Sequence, residues 1–392
     1  TVSGSTPSHH YKLIGLQILR HNSTSQQFQV IGIGTTGTGQ DSIDEMPHDI
    51  IIDRCLIRGA DNAQTRRGIR LDGKDVQVIN SYIDNFWDTG ADSQAILMLN
   101  GGQNVLIANN FIEGASENIL TGGGDPSITN FVPNNITIEH NHFFKRLSWV
   151  GASKVVKNLF ELKSARDVTI RNNIFENHWV DAQSGYSIVF TPRNQDGGAT
   201  WTTLENVTFE YNIIKNVSAG VNILTKDNIN TSEAISNFDI NNNLFEIDWN
   251  SQSQGGAGRT FLMQGSNADP MNGLVIDHNT FIHRQTGEYK NTFIESDTAQ
   301  DFIVGLSITN NIIAGISGTD DMLGLPRGSV VSGAANLARI AVGGTYTFTG
   351  NVIQRSATGM PASSFYTTSL SSIGFEDYAG RNYALKNNSP YR

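Results

Sequence analysis

The chain has 392 residues, of which 38% are hydrophobic and 16% charged, and that apolar share can build a core, which excludes an intrinsically disordered protein. Its 27 Lys and Arg against 37 Asp and Glu leave a net charge of −10, so no general attraction to a phosphate backbone exists and a nucleic-acid partner is not expected. No apolar run approaches the ~18 residues that cross a bilayer, and no charged-then-apolar leader stands at Thr1, so the expectation is a soluble chain, mature or trimmed, with no membrane span.

A single cysteine, Cys55, allows neither an internal disulfide nor a cysteine zinc site. Stability then has to come from packing and backbone hydrogen bonds.

Taken in chain order, one short pattern recurs: alternating apolar residues, a polar pair, then more apolar residues. Early copies are KLIGLQIL at 12–19, IIIDRCLI at 50–57 and VQVINSYI at 76–83. Sharper ones follow as VLIANNFI (105–112), ITIEHNHFF (136–144), VTIRNNIF (168–175), VTFEYNII (207–214) and FDINNNLF (238–245). The last are LVIDHNTF (274–281), LSITNNII (306–313) and YTFTGNVI (346–353). Aligned before the second apolar pair, one column reads Gln17, Cys55, Ser81, Asn110, Asn141, Asn173, Asn212, Asn243, Asn279, Asn311 and Asn351. The mean spacing is about 33 residues, within the range of repeat architectures.

An alternating run of this length is a short strand with one buried face, and the polar pair is a sharp corner. Asparagine suits such a corner because it tolerates left-handed backbone and its amide both donates and accepts, so stacked corners can bond to one another. Hairpins of a sandwich or propeller would need Gly-rich turns every 8 to 12 residues instead. The pattern predicts an all-β, single-stranded right-handed parallel β-helix. It has about eleven coils, three parallel sheets and an asparagine ladder at one corner, in a rod of roughly 50 Å at ~4.8 Å per coil. One domain is expected over 1–392, with an N-terminal edge at 1–10, coils at 11–353 and a C-terminal edge or cap at 354–392.

Third strands stand between the corners: RGIRLDG (67–73), AILMLNG (95–101), NILTGGG (118–124), NLFELKS (158–164), SIVFTPR (187–193), GVNILTK (220–226), FLMQG (261–265) and TFIESD (292–297). No amphipathic helix precedes the first strand, so both rod ends are expected to be uncapped and open to self-association.

With these strands in place, the chain resembles the pectate-lyase-like superfamily of right-handed β-helix proteins over essentially its whole length. The resemblance implies a polysaccharide partner, an extracellular or periplasmic location, and substrate in a groove along the sheet of third strands. Registering Leu71, Leu99, Leu120, Leu162 and Phe190 as one buried column puts Asp72, Asn100, Thr121, Lys163 and Thr191 in one outward column.

The stretch ELKSARDVTIRNNIFENHW resembles the Glu-x-x-x-Lys-Ser and Asn-corner region of alginate and chondroitin lyases, although here Glu161 and Lys163 are only two apart. That likeness implies a lyase acting by β-elimination on a uronate-containing glycan. Lys163 would be the base and Arg193 the acid or carboxylate clamp, while Glu161 with Glu117 or Asp125 would hold calcium through oxygen ligands. Asp92 lies on an adjoining loop.

The polygalacturonase pattern is missing apart from Asp320-Asp321. A glycosidase using other paired carboxylates stays open, as does a noncatalytic extracellular rod such as an adhesin, filament segment or glycan-binding module. Trp87, Trp179 and Trp249 fall six residues after their corners and Trp149 eight after its own, so their rings either stack on sugars or pack loops against the rod. With Asp72 and Asn100 they complete the expected substrate-binding set. The histidines His9, His10, His140, His142 and His178 invite a metal, but His140 and His142 straddle a corner and converge on no common partner.

Overall fold

The protein is described by a computed structural model, which places residues 7–21, 25–248, 258–284, 291–296, 299–315 and 333–392. Trp249 and Asp320-Asp321 lie outside the described residues.

Each strand pairs in parallel with its equivalent one coil on, every third strand through most of the chain and closer at the C-terminal end, which yields three sheets of 11, 12 and nine strands. The first runs from His9–Ile14 to Tyr346–Thr349, the second from Gln17–Leu19 to Phe365–Thr367 and the third from Ile31–Ile33 to Thr292–Ser296. Chain order equals stacking order in each sheet, so the chain is a right-handed parallel β-helix. Among the described residues no helix is long and apolar enough to cross a membrane.

The corner column forms a continuous buried ladder. The Asn110 backbone N–H and Nδ2 both donate to Asn141 Oδ1 at 3.0 Å, and the same double donation repeats through Asn173, Asn212, Asn243, Asn279 and Asn311 to Asn351. The weaker copies join it with single donations, Ser81 N–H to Asn110 Oδ1 at 2.8 Å and Cys55 N–H to Ser81 Oγ at 3.0 Å. Cys55 is buried in this column.

In the first coil the register corrects the alignment. Gln17 pairs with Leu56, and Leu56 N–H donates to Leu16 O, so the column position is Leu16 rather than Gln17. The left-handed residue is the one before the column position: Asn80 before Ser81, and Asn109, His140, Asn172, Tyr211, Asn242, His278 and Asn310 before asparagines, all have φ between 53° and 57°, and Gly350 before Asn351 has 71°. The ladder asparagines therefore keep ordinary backbone, and their amides are free to bridge coils.

A main core runs from Ile33 to Ile353, with inner phenylalanines stacked as in Phe143–Phe175 (4.4 Å between centroids). Beyond the last third-sheet strand the helix Gly333–Ile340 turns Leu337 and Ile340 into this core, and Phe302 N–H donates to Ile340 O at 3.0 Å. The hairpin Phe375–Asp377 with Asn382–Leu385 folds back on the rod, burying Ile373 and Phe375 against Ile282 and Val352. This end is covered, contrary to the expectation of two open ends, because a β-helix must hide its terminal apolar layer. At the opposite end Tyr11, Ile14, Leu16 and Leu19 are exposed.

Candidate functional site

The outer face of the third sheet is set by its register. Leu71 lies in line with Met98, Thr121, Leu162 and Phe190, all inward, while Arg70, Leu97, Leu120, Glu161 and Val189 form the outward column. Sequence alignment put Leu99 and Leu120 inward, a one-residue slip in two coils that exchanges faces because the side-chain period is two. Thr121, expected outward, is buried in the inward column.

Glu161, on the strand Asn158–Leu162, accepts from Asn158 Nδ2 at 2.7 Å and pairs with Lys163 Nζ at 3.4 Å. One coil earlier, Glu117 on Glu117–Thr121 accepts from Gln94 Nε2 at 2.8 Å and faces Lys157 Nζ at 3.9 Å. Lys157 also holds Asp92 at 2.6 Å. Glu117 is 1% exposed and Glu161 2%, while the side chains of Lys157 and Lys163 are 18% and 21% exposed and carry the cluster to the surface.

Burial, then the negative charges of Glu161 and Asp92, push the Glu117 carboxyl up to about 8 against the pull of Lys157 and Gln94. Burial raises Glu161 too, opposed by Lys163 and Lys157. Lys157 is pulled down by burial but ends above its ordinary value because Glu117 and Asp92 favour its charge. The two carboxyls on neighbouring coils thus have different partners, and burial raises both.

Of the other predicted residues, Arg193 sits beside this cluster, its N–H donating to Lys163 O at 3.0 Å. Its guanidinium is committed to buried Asp227 at 2.6 Å. Asp125 is not part of an oxygen cage with Glu117 and Glu161, because its carboxylate accepts from Asp196 N–H at 3.1 Å and Gly198 N–H at 2.7 Å and so clasps another loop.

Asp72 and Asn100 are fully buried brackets rather than groove residues. Asp72 pairs with Arg70 at 2.5 Å and accepts from the amides of Leu99 and Asn100. Asn100 donates to Thr35 O and Gln40 O and accepts from Ser127 and Ile128 N–H. The reason is local: the strands Arg67–Leu71 and Gln94–Met98 end one and two residues before Asp72 and Asn100, and each side chain turns over to accept from loop amides.

Trp87, Trp149 and Trp179 are 7%, 3% and 1% exposed in one cluster with Ala115 and Val156. Lys154 Nζ lies 3.8 Å over the Trp87 ring and Arg146 5.1 Å over Trp149. These rings pack the 146–157 loop against the rod and offer no face to a sugar.

Sequence reasoning missed Lys145, which is fully buried at the turn between the second and third sheets. Its Nζ donates to Gly114 O and Ala115 O at 2.7 Å and to Ser116 O and Asn118 Oδ1 at 3.2 Å. Burial pushes it down to about 7, with Glu117 and Glu113 opposing. Buried His178 faces Gly185 O and Lys157 O and is held neutral, lowered to about 3 by burial and by Lys145. No motif marks Lys145, and His178, one of the histidines considered for a metal, is instead spent on these two carbonyls. His142 pairs with Glu176 at 2.8 Å, and His140 is exposed on the left-handed column.

No family model matches the chain, and no curated protein does. Among solved structures it is similar to the tailspike protein of E. coli bacteriophage HK620, with a TM-score of 0.40 and 10% identity over 92% of this chain and 54% of that one. It is also similar to a hyperthermoactive exopolygalacturonase from Thermotoga maritima (TM-score 0.39, 10% identity, 82% of this chain and 81% of that one). The tailspike protein gp49 from Pseudomonas phage LKA1 gives 0.35 and 12% over 82% of this chain and 50% of that one. The chain thus spans about half the length of the two tailspikes.

Proposed function

We propose that the protein acts on a polysaccharide, cleaving glycosidic bonds by acid–base chemistry at Glu117 and Glu161. One observation carries this reading: two buried carboxylates on adjacent coils, one pushed up to about 8 and the other held by Asn158 and Lys163. Such a pair divides the labour of glycoside hydrolysis. Protonated Glu117 gives its proton to the leaving glycosidic oxygen as that bond breaks, and the Glu161 carboxylate takes a proton from the water whose oxygen bonds to the anomeric carbon.

The third sheet stacks nine parallel strands into a straight face that suits a linear polymer, and the part-exposed side chains of Lys157 and Lys163 along it favour an acidic one. Such a substrate implies work outside the cytoplasm, in the extracellular or periplasmic space. Access to the pair requires the two lysine side chains to swing away.

Elimination by a lyase is the weaker version of this reading. A free base and a free clamp are needed, whereas Lys163 is engaged by Glu161 at 3.4 Å and Arg193 already holds Asp227 at 2.6 Å. Noncatalytic glycan binding is the second reading, favoured by the near-complete burial of both carboxylates.

The test is incubation with alginate, pectate, glycosaminoglycans and neutral glycans, following reducing ends and the ultraviolet absorbance of unsaturated uronates. Reducing ends without the absorbance, lost in Glu117→Gln and Glu161→Gln, are expected. An absorbing product lost in Lys163→Ala would replace hydrolysis by elimination. Binding on a glycan array with no product from any glycan would leave the rod as a binding module.

A further inference from the structure

We propose that His10, His48 and Asp49 form a binding site for a divalent transition metal of the zinc class, at the first-coil end of a groove on the outer face of the first sheet. The site lies on a different sheet from the Glu117–Glu161 pair and is independent of any glycan chemistry.

The positions follow from the left-handed column of the first sheet. His10, Asp49, Asp75, Asn104 and Asn135 occupy it in successive coils, with φ of 60°, 53°, 53°, 55° and 52°, so their side chains stand one above another. From Asp75 onward the column is an amide ladder, with Asn104 Nδ2 donating to Asp75 Oδ1 at 2.8 Å and Asn135 Nδ2 to Asn104 Oδ1 at 2.7 Å. At Asp49 and His10 the ladder gives way to a carboxylate and an imidazole, groups that ligate metals.

His48 completes the set from the adjacent position. Its Nδ1 is 2.7 Å from Asp49 Oδ2, and His10 Nε2 is 3.8 Å from the same oxygen. One ligand atom from each of the three lies within 4.8 Å of the others, the only such group of three among the described residues. Two imidazoles and one carboxylate suit zinc, copper or nickel and not calcium or magnesium, which take oxygen ligands.

The surroundings hold the rings in place. His10 Nδ1 lies 2.6 Å from His9 Nδ1, which leaves Nε2 as the ligating atom, and the His9 ring stacks on His48 at 5.0 Å and 8°. Outer contacts of this kind fix the tautomer and orientation of a ligating histidine. With zinc bonds of about 2.0–2.1 Å in a tetrahedron, the His48–Asp49 contact opens by roughly half an ångström to admit the ion. His10 and Asp49 are 69% and 48% exposed, so a fourth position stays open to water. The groove that starts at these two residues has a volume of about 650 Å³ and continues past Asp75, Gln77, Asn104 and Thr137.

Zinc chloride titrated calorimetrically into the full chain is expected to bind one ion per chain in the micromolar range, while calcium and magnesium give no saturable heat. His10→Ala and His48→Ala should each weaken zinc about tenfold or more, with urea midpoints unchanged because these side chains lie at the surface. His140→Ala, on the other left-handed column, should bind as the parent does. Cobalt(II) should give the visible spectrum of a tetrahedral site in the parent and lose it in both variants. Absence of saturable zinc binding would overturn the proposal, and so would zinc affinity that His10→Ala and His48→Ala leave unmoved.

Discussion

Asn110 and Asn141 stand 31 residues apart in sequence and meet at one oxygen: the backbone N–H and the side-chain Nδ2 of Asn110 both donate to Asn141 Oδ1 at 3.0 Å. Because the acceptor satisfies a buried main-chain donor as well as an amide, deleting it costs more than one hydrogen bond.

Asn212→Ala should therefore destabilise the rod by about 2–4 kcal/mol, since it leaves the Asn173 N–H and Nδ2 without their 3.0 Å acceptor and Ile170 O without its donor. Asn212→Ser should cost less, because Ser81 Oγ already accepts the Cys55 N–H at 3.0 Å in the same column. Urea midpoints of the two variants check the order, and equal losses would contradict the shared-acceptor account.

The ladder was legible in sequence because one residue type does one job at a fixed corner, and Asn110 to Asn351 keep that job through every loop length. The register of the third sheet was not. AILMLNG offers two apolar phases, Ile96 with Met98 or Leu97 with Leu99, and the outward Leu97 and Leu120 are themselves buried, at 4% and 6% exposure, so they lack the polar contrast that would mark them as outward. Glu161 and Glu117 were singled out for their charge and do share a neighbourhood, whereas Asp125 was grouped with them from loop position alone. Lys145 reads as a surface lysine in HFFKRL because its four acceptors come from turn 114–118, one coil away.

Glu117 should make stability depend on pH. Its folded carboxyl titrates at about 8 against an ordinary 4.5, so the folded chain binds a proton that the unfolded chain has released between those values. Stability falls as pH rises from 4.5 toward 8. Lys145 acts in the opposite sense higher up: it loses its proton at about 7 when folded and at 10.5 when unfolded, so its burial costs less as pH rises through that window. Urea midpoints between pH 5 and 7 should fall in the parent and flatten in Glu117→Gln. Parallel slopes would remove Glu117 from the account.

Trp87, Trp149 and Trp179 should report on packing rather than on ligand. In a Trp201→Phe, Trp249→Phe background, which leaves these three as the only tryptophans of the sequence, their emission should be blue-shifted and poorly quenched by acrylamide, and oligosaccharides should change neither property, because the rings are 1–7% exposed. Lys154→Ala removes the ammonium lying 3.8 Å over the Trp87 ring and should raise quenching. Saccharide-dependent protection from quenching would restore these rings to a sugar-binding role.

Lys145→Met is the most severe single change expected. The methionine fills much of the same volume, but the carbonyls of Gly114, Ala115 and Ser116 and the side-chain oxygen of Asn118 lose their common donor in a fully buried turn. Removing the cation also leaves the buried carboxylates Glu117 and Glu113 less compensated. A loss of about 3–5 kcal/mol is expected, in the range found when one partner of a buried charge network is deleted. Urea midpoints of Lys145→Met against the parent check it, and a loss below about 1 kcal/mol would show that the turn carbonyls do not depend on this donor.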